Sequence, residues 1–206
     1  MSLAIIDVRR VPKPGKSKEV LEAAKASFEN TGKHGLVSIT SAGPLTSPRS
    51  IMTSIFGPTL EECEAFQDSV VSSDEILNRL MAIDALCDLS ASTILNVVEL
   101  AEGMGDLKFI NRRFLRAKRG HVGELLDALI EWRGAFKGAK PQISVPIAGD
   151  IDLIRVTMGG ESLTTLGERI NDVATNPDYG KYRSKVASAT VSANSFISRV
   201  ITSNLP

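Results

Sequence analysis

Two adjacent arginine pairs, Arg9-Arg10 and Arg112-Arg113, are the residues of this chain best suited to chemistry. Each pair lies in a segment that reads as a strand, where neighbouring side chains point to opposite faces. Each pair therefore sends one guanidinium toward either side of its sheet. A guanidinium enclosed there needs an acceptor, and Asp7, Asp150, Asp152 and Glu99 are the candidate partners. Two outcomes stay open: ion pairs that brace the fold, or a site for an anion. Arg155 stands mid-strand on a polar face and poses the same choice, a carboxylate partner or an acidic ligand. Arg10, Arg113 and Arg155 are accordingly candidate ligand-binding residues, together with Trp132, Tyr179 and Tyr182. Trp132 lies on the apolar face of a predicted helix. Tyr179 and Tyr182 are three residues apart on another and share a face, placed to close a pocket mouth or an interface between chains.

Other chemistries find less support. His34 follows a predicted helix and His121 begins one, and both read as solvated. Two histidines without neighbouring carboxylates make a poor metal site, and neither reads as an axial ligand for haem. No metal and no cofactor are expected. There is no Gly-x-Ser-x-Gly elbow, and Cys63 and Cys87 fall in predicted helices as small apolar residues. The clusters Gly103-Met104-Gly105 and Gly159-Gly160 match neither phosphate-binding spacing. Lys and Arg number 24 against 24 Asp and Glu, which gives no electrostatic case for nucleic acid or an anionic membrane. No apolar run approaches the roughly 18 residues needed to cross a bilayer. The start, Met1-Ser2-Leu3, lacks the features of a signal peptide, and the cysteine usage reads as a reduced, cytoplasmic setting.

The elements that must position these residues come in duplicate. Val8-Arg9-Arg10-Val11, a loop ending in Gly15 and then Glu19-Val20-Leu21 returns as Asn111-Arg112-Arg113-Phe114, a loop ending in Gly120 and Glu124-Leu125-Leu126. Gly57-Pro58-Thr59-Leu60 is echoed by Gly160-Glu161-Ser162-Leu163. A period this long points to two like domains and not to a solenoid. Each half reads strand, helix, strand, strand, helix, strand. In the first, strands over Ala4 to Val11, Leu36 to Ala42, Ile51 to Phe56 and Thr93 to Leu100 flank a helix from Ser17 and a second one capped by Thr59 and broken at Ser72-Ser73. In the second, Phe109 to Leu115, Ile143 to Ile147, Ile154 to Met158 and Val191 to Ile201 are strands. Its later helix is capped by Ser162, carries Leu163, Leu166, Ile170 and Val173, and restarts at Asn176-Pro177.

This order is that of the ferredoxin-like plait. The expected fold is α+β: two tandem βαββαβ repeats, residues 1–102 and 106–206, forming one pseudo-symmetric α/β barrel. Each sheet would have one face under helices and one bare, the bare faces carrying Ser38, Thr40, Gln142, Ser144, Arg155 and Thr157. The first helix of the second half carries Leu125, Leu129, Trp132 and Phe136, against Val20, Ala24 and Phe28 with small Ser27 and Thr31 in the first. The first half therefore reads as less filled. A ligand cavity is expected there, unless the loop Gly43 to Ser50 folds in.

With this topology, the turns Pro14-Gly15-Lys16 and Arg119-Gly120-His121 and the restart at Asn176-Pro177-Asp178-Tyr179, the chain resembles the dimeric α/β-barrel superfamily in its tandem form. It is similar to the NIPSNAP-like and antibiotic-biosynthesis-monooxygenase-like branches. The superfamily includes cofactor-independent monooxygenases, haem-handling enzymes, isomerases and members without an assigned activity, so fold leaves function open. The expectation is a protein that holds a small apolar or acidic molecule without an assignable reaction, with assembly into a homodimer open. The alternative is a cofactor-independent monooxygenase or isomerase acting on a polycyclic or enolisable substrate.

Overall fold

The computed structural model describes residues 3–205, apart from the side chain of Val173. Fourteen elements follow one another in the expected order. In the first half these are β1 (Ala4–Pro12), α1 (Ser17–Glu29), β2 (Gly35–Ala42), β3 (Ile51–Gly57), α2 (Leu60–Val71), α3 (Asp74–Asp84) and β4 (Cys87–Glu99). In the second they are β5 (Phe109–Ala117), α4 (Val122–Gly134), β6 (Gln142–Pro146), β7 (Leu153–Gly160), α5 (Leu163–Ala174), α6 (Tyr179–Ala189) and β8 (Thr190–Asn204). The strands hydrogen-bond in the order β1-β3-β2-β8-β5-β7-β6-β4, a closed barrel. Two compact units stand out among the described residues: residues 3–41, 45–96 and 199–205, and residues 42–44 and 97–198.

In the first unit β1 pairs antiparallel with both β3 and β4, and β3 with β2. The helices start where the sequence places stop signals. Thr59 accepts from the Glu62 N–H at 3.2 Å, and Ser73 accepts from the Ile76 N–H at 3.3 Å, each satisfying one of the orphan donors of a first turn. The core gathers Ile6, Val20, Ala24, Phe28, Ile55 and Ile83 between sheet and helices. β4 begins at Cys87 and not at Thr93, because β1 extends the ladder to Val11↔Leu89 and, past an irregularity, to Pro12↔Cys87. Asp88, Leu89, Ala91 and Ser92 are exposed there, so hydrophobic alternation carries no sign of the strand.

In the second unit β7 pairs with β5 and β6. Ser162 accepts from the Thr165 N–H at 3.0 Å to open α5, and Asn176 Oδ1 accepts from the Asp178 N–H at 2.9 Å in the turn that restarts the helix as α6. β6 ends at Pro146, leaving Ile147 exposed beyond it.

Strand register sets the true correspondence of the halves. Ala4 pairs with Gly57 and Phe109 with Gly160, each glycine two residues before a helix cap. Ile6 therefore corresponds to Asn111, Val8 to Arg113 and Arg10 to Leu115. The two arginine pairs do not occupy matching places: Arg10 lies five residues before Gly15, whereas Arg113 lies seven before Gly120. The repeated glycine itself has a packing cause. A Cβ on Gly57 would lie 2.7 Å from Cys63 Sγ, and one on Gly160 would lie 3.1 Å from the Leu166 N, so in both units a bare strand position lets the helix sit against the sheet.

Candidate functional site

A cavity lies within the second unit, beneath its helices. It has a volume of about 420 Å³ and is walled by β5, β7, the start of β8 and α4, α5 and α6. Leu129, Trp132, Phe136, Val156, Met158 and Val186 make its surface largely apolar. Trp132 and Phe136 meet edge to face, with ring centroids 4.7 Å apart, which fixes one aromatic wall. The cavity is not in the half where it is expected: there Val20, Ala24 and Phe28 of α1 pack against Ile6, Val37 and Ile55, and the space under α2, beside Cys63 and Phe66, measures about 10 Å³, scarcely room for one water.

The cause is a single helix position. The Val20 N–H bonds to the Lys16 carbonyl and the Leu125 N–H to the His121 carbonyl, so α1 and α4 align with Phe28 opposite Arg133. Phe28 is 4% exposed and plugs the first core. Arg133 turns away instead. Its Nε donates to the Pro141 carbonyl at 2.8 Å, and its Nη2 donates to the Leu100 carbonyl at 2.5 Å. The bulky Trp132 and Phe136 then line the space instead of filling it.

Polar groups enter from few places. Asn111 and Arg113, two apart on β5, present the same strand face to the cavity. Asn111 is buried and its Nδ2 donates to Ser195 Oγ at 2.7 Å. Arg113 is half-buried and has no hydrogen-bond or ion-pair partner among the described residues. Tyr179 and Arg183, one turn apart on α6, complete the polar lining with Thr190 and Ser192. Among the described residues that line the cavity there is no carboxylate and no histidine.

Three of the six residues singled out from sequence, Arg113, Trp132 and Tyr179, meet at this cavity. The other three do not. Arg10 belongs to the first unit, where its Nε donates to Asp84 Oδ1 at 3.2 Å in an ion pair. That is the bracing role, with a partner outside the four carboxylates first considered. Arg155 is buried and its Nε donates to Ser144 Oγ at 3.2 Å; it alternates with Val156 along β7 and so faces away from the cavity. Tyr182 is half-buried on α6 but does not line the space. Asn111 was missed, although its alternation with Arg113 along one strand is visible in the sequence.

No protein-family model matches the chain, and no curated protein matches it in sequence. Solved structures do. One is a proposed monooxygenase from Fusobacterium nucleatum, with a TM-score of 0.71 at 9% identity over 98% of this chain and 93% of that one. Another is a proposed monooxygenase from Lactobacillus acidophilus, with a TM-score of 0.67 at 8% identity over 98% and 95%. An anthrone oxidase-like protein gives a TM-score of 0.67 at 12% identity over 98% and 92%. The chain has the dimeric α/β-barrel fold.

Within this α/β-barrel chain the remaining candidates hold surface or packing roles. His34 Nδ1 lies 3.2 Å from the Asn204 carbonyl, and His121 Nδ1 lies 2.9 Å from Glu124 Oε2. Burial pushes the Cys63 and Cys87 thiols up from their ordinary pKa, away from the thiolate form that acts as a nucleophile. No helix among the described residues is long and apolar enough to cross a membrane.

One surface tie bears on the cavity. Glu131 on α4 pairs with Lys185 and, at 3.7 Å, with Lys181, both on α6, so it joins two walls of the cavity. The Lys185 hydrogen bond holds the Glu131 carboxyl below its ordinary pKa. A depressed folded-state pKa means the contribution is complete above the unfolded value and is lost as pH falls through the folded one. Glu131→Gln is therefore expected to lower the urea midpoint slightly at neutral pH. That difference should shrink as the pH drops below the ordinary glutamate range, about 4.3; a difference independent of pH would contradict the tie.

Proposed function

We propose that the cavity of the second unit binds a small, largely apolar molecule by one anionic group held on Arg113. The observation that carries this reading is a half-buried guanidinium without a protein acceptor, set into a 420 Å³ space with apolar walls. Enclosure strengthens a charge-assisted hydrogen bond, while Trp132, Phe136 and Met158 gain from covering an apolar body. Asn111, steadied by Ser195, supplies a second polar contact beside the first.

The test is a matched pair of probes, 2-naphthoate and its methyl ester, measured by isothermal titration calorimetry. Hydrogen bonds to charged groups contribute about 1.5–3 kcal/mol, so the acid should bind at least about tenfold more tightly than the ester. Arg113→Met should remove that preference. Equal binding of acid and ester by the wild type would contradict the reading.

A second reading follows from the same arginine. A fixed cation in an apolar site also stabilises an enolate or phenolate formed from a bound aromatic ketone, as cofactor-free oxygenation of an enolisable substrate requires. The likeness to proposed monooxygenases and an anthrone oxidase-like protein favours testing it. Oxygen consumption with anthrone as substrate, abolished in Arg113→Met, would support it; a rate no greater than that without protein would exclude it for this substrate. Because no carboxylate or histidine among the described residues lines the cavity to act as base, binding is the primary reading.

A further inference from the structure

We infer that Asn111 and Arg113 stand in β5 to recognise the ligand and not to build the fold, so that the second repeat carries a less stable strand face than its sequence needs. The inference rests on the binding role proposed for the cavity, and the first repeat supplies its internal control. At the corresponding register positions β1 has Ile6 and Val8, packed into the first core. Their strand partners are alike in the two units: Ile6 faces Ile55 where Asn111 faces Met158, and Val8 faces Thr53 where Arg113 faces Val156. On the side facing β3 or β7 the same ladder is thus completed with apolar side chains at both places, and nothing in the pairing with β7 calls for an amide or a guanidinium.

What the polar pair does locally points the same way. Asn111 is 7% exposed, and its only side-chain hydrogen bond among the described residues goes to Ser195 Oγ. Arg113 has no partner among the described residues at all. Groups that serve the fold at buried sites are normally satisfied by it, as Arg133 is. A guanidinium left unanswered inside an apolar space costs stability, and such costs collect where binding is done.

The experiment transplants the first repeat's residues: Asn111→Ile with Arg113→Val, alongside each single change. The double variant should unfold at a higher urea concentration than wild type, while its affinity for 2-naphthoate falls by about tenfold or more. A lower midpoint, or failure to fold, would overturn the inference, because the polar pair would then serve the structure. Absence of 2-naphthoate binding by the wild type would instead overturn the role of the cavity, and the two failures are read from separate measurements.

Discussion

Arg133→Ala should lower the stability of the protein by about 3 kcal/mol. The side chain is 7% exposed yet charged, and its three nitrogens are all engaged. Nε donates to the Pro141 carbonyl at 2.8 Å; Nη2 reaches the Leu100 carbonyl at 2.5 Å and Glu102 Oε1 at 2.8 Å; Nη1 lies 3.3 Å from Glu99 Oε2. These bonds clamp the end of α4 to the chain on both sides of it. Truncation strands two backbone carbonyls and opens space next to Pro141, itself part of the cavity wall. Arg133→Lys should recover only part of the loss, because one ammonium cannot reproduce a planar fork that serves four acceptors. Urea unfolding checks both, and a loss under about 1 kcal/mol for the alanine variant would show the clamp to be ornamental.

Gly35→Ala is expected to cost about as much, roughly 3 kcal/mol, through backbone geometry alone. Gly35 has φ +154° and pairs with Ile55 in the β2–β3 ladder. An added Cβ would lie 2.1 Å from the Ser54 carbonyl oxygen and 3.0 Å from the Phe28 ring. Neither neighbour can yield easily, since one is ladder backbone and the other is the plug of the first core. Gly123→Ala is the contrasting case: it lies in α4 with nothing within 4 Å of an added Cβ, and a gain of about 0.5–1 kcal/mol is expected. Thermal or urea unfolding of the two variants should move in opposite directions.

Those glycines also mark how far the sequence alone could be read. The duplicated Gly57 and Gly160 were visible as an echo, and their cause, a helix seated on a bare strand position, explains why the echo exists. Thr59 and Ser162 cap helices as their spacing implies, and the break at Ser72-Ser73 supplies a third cap, because capping is a local matter of one side chain and one N–H. Correspondence between the halves was misjudged by two residues. The adjacent arginines invited alignment, whereas strand register, a long-range property, pairs Val8 with Arg113. The cavity was assigned to the wrong half for a related reason. Counting bulk along α1 and α4 overlooked that Arg133 takes the place of Phe28 and points elsewhere, leaving Trp132 and Phe136 to border an empty volume. In the sequence Arg113, which lines the cavity, cannot be told from Arg10 and Arg155, which do not, since only the fold shows which guanidinium already has an acceptor.

Trp132 is the one tryptophan in the chain, so its indole N–H gives a single resolved signal in a nitrogen-15 correlation spectrum. Titrating 2-naphthoate into wild-type protein should shift that signal progressively to saturation, and in Asn111→Ile/Arg113→Val the same shift should need about tenfold or more ligand. An indole signal that stays in place while 2-naphthoate binds would put the ligand elsewhere and contradict the account.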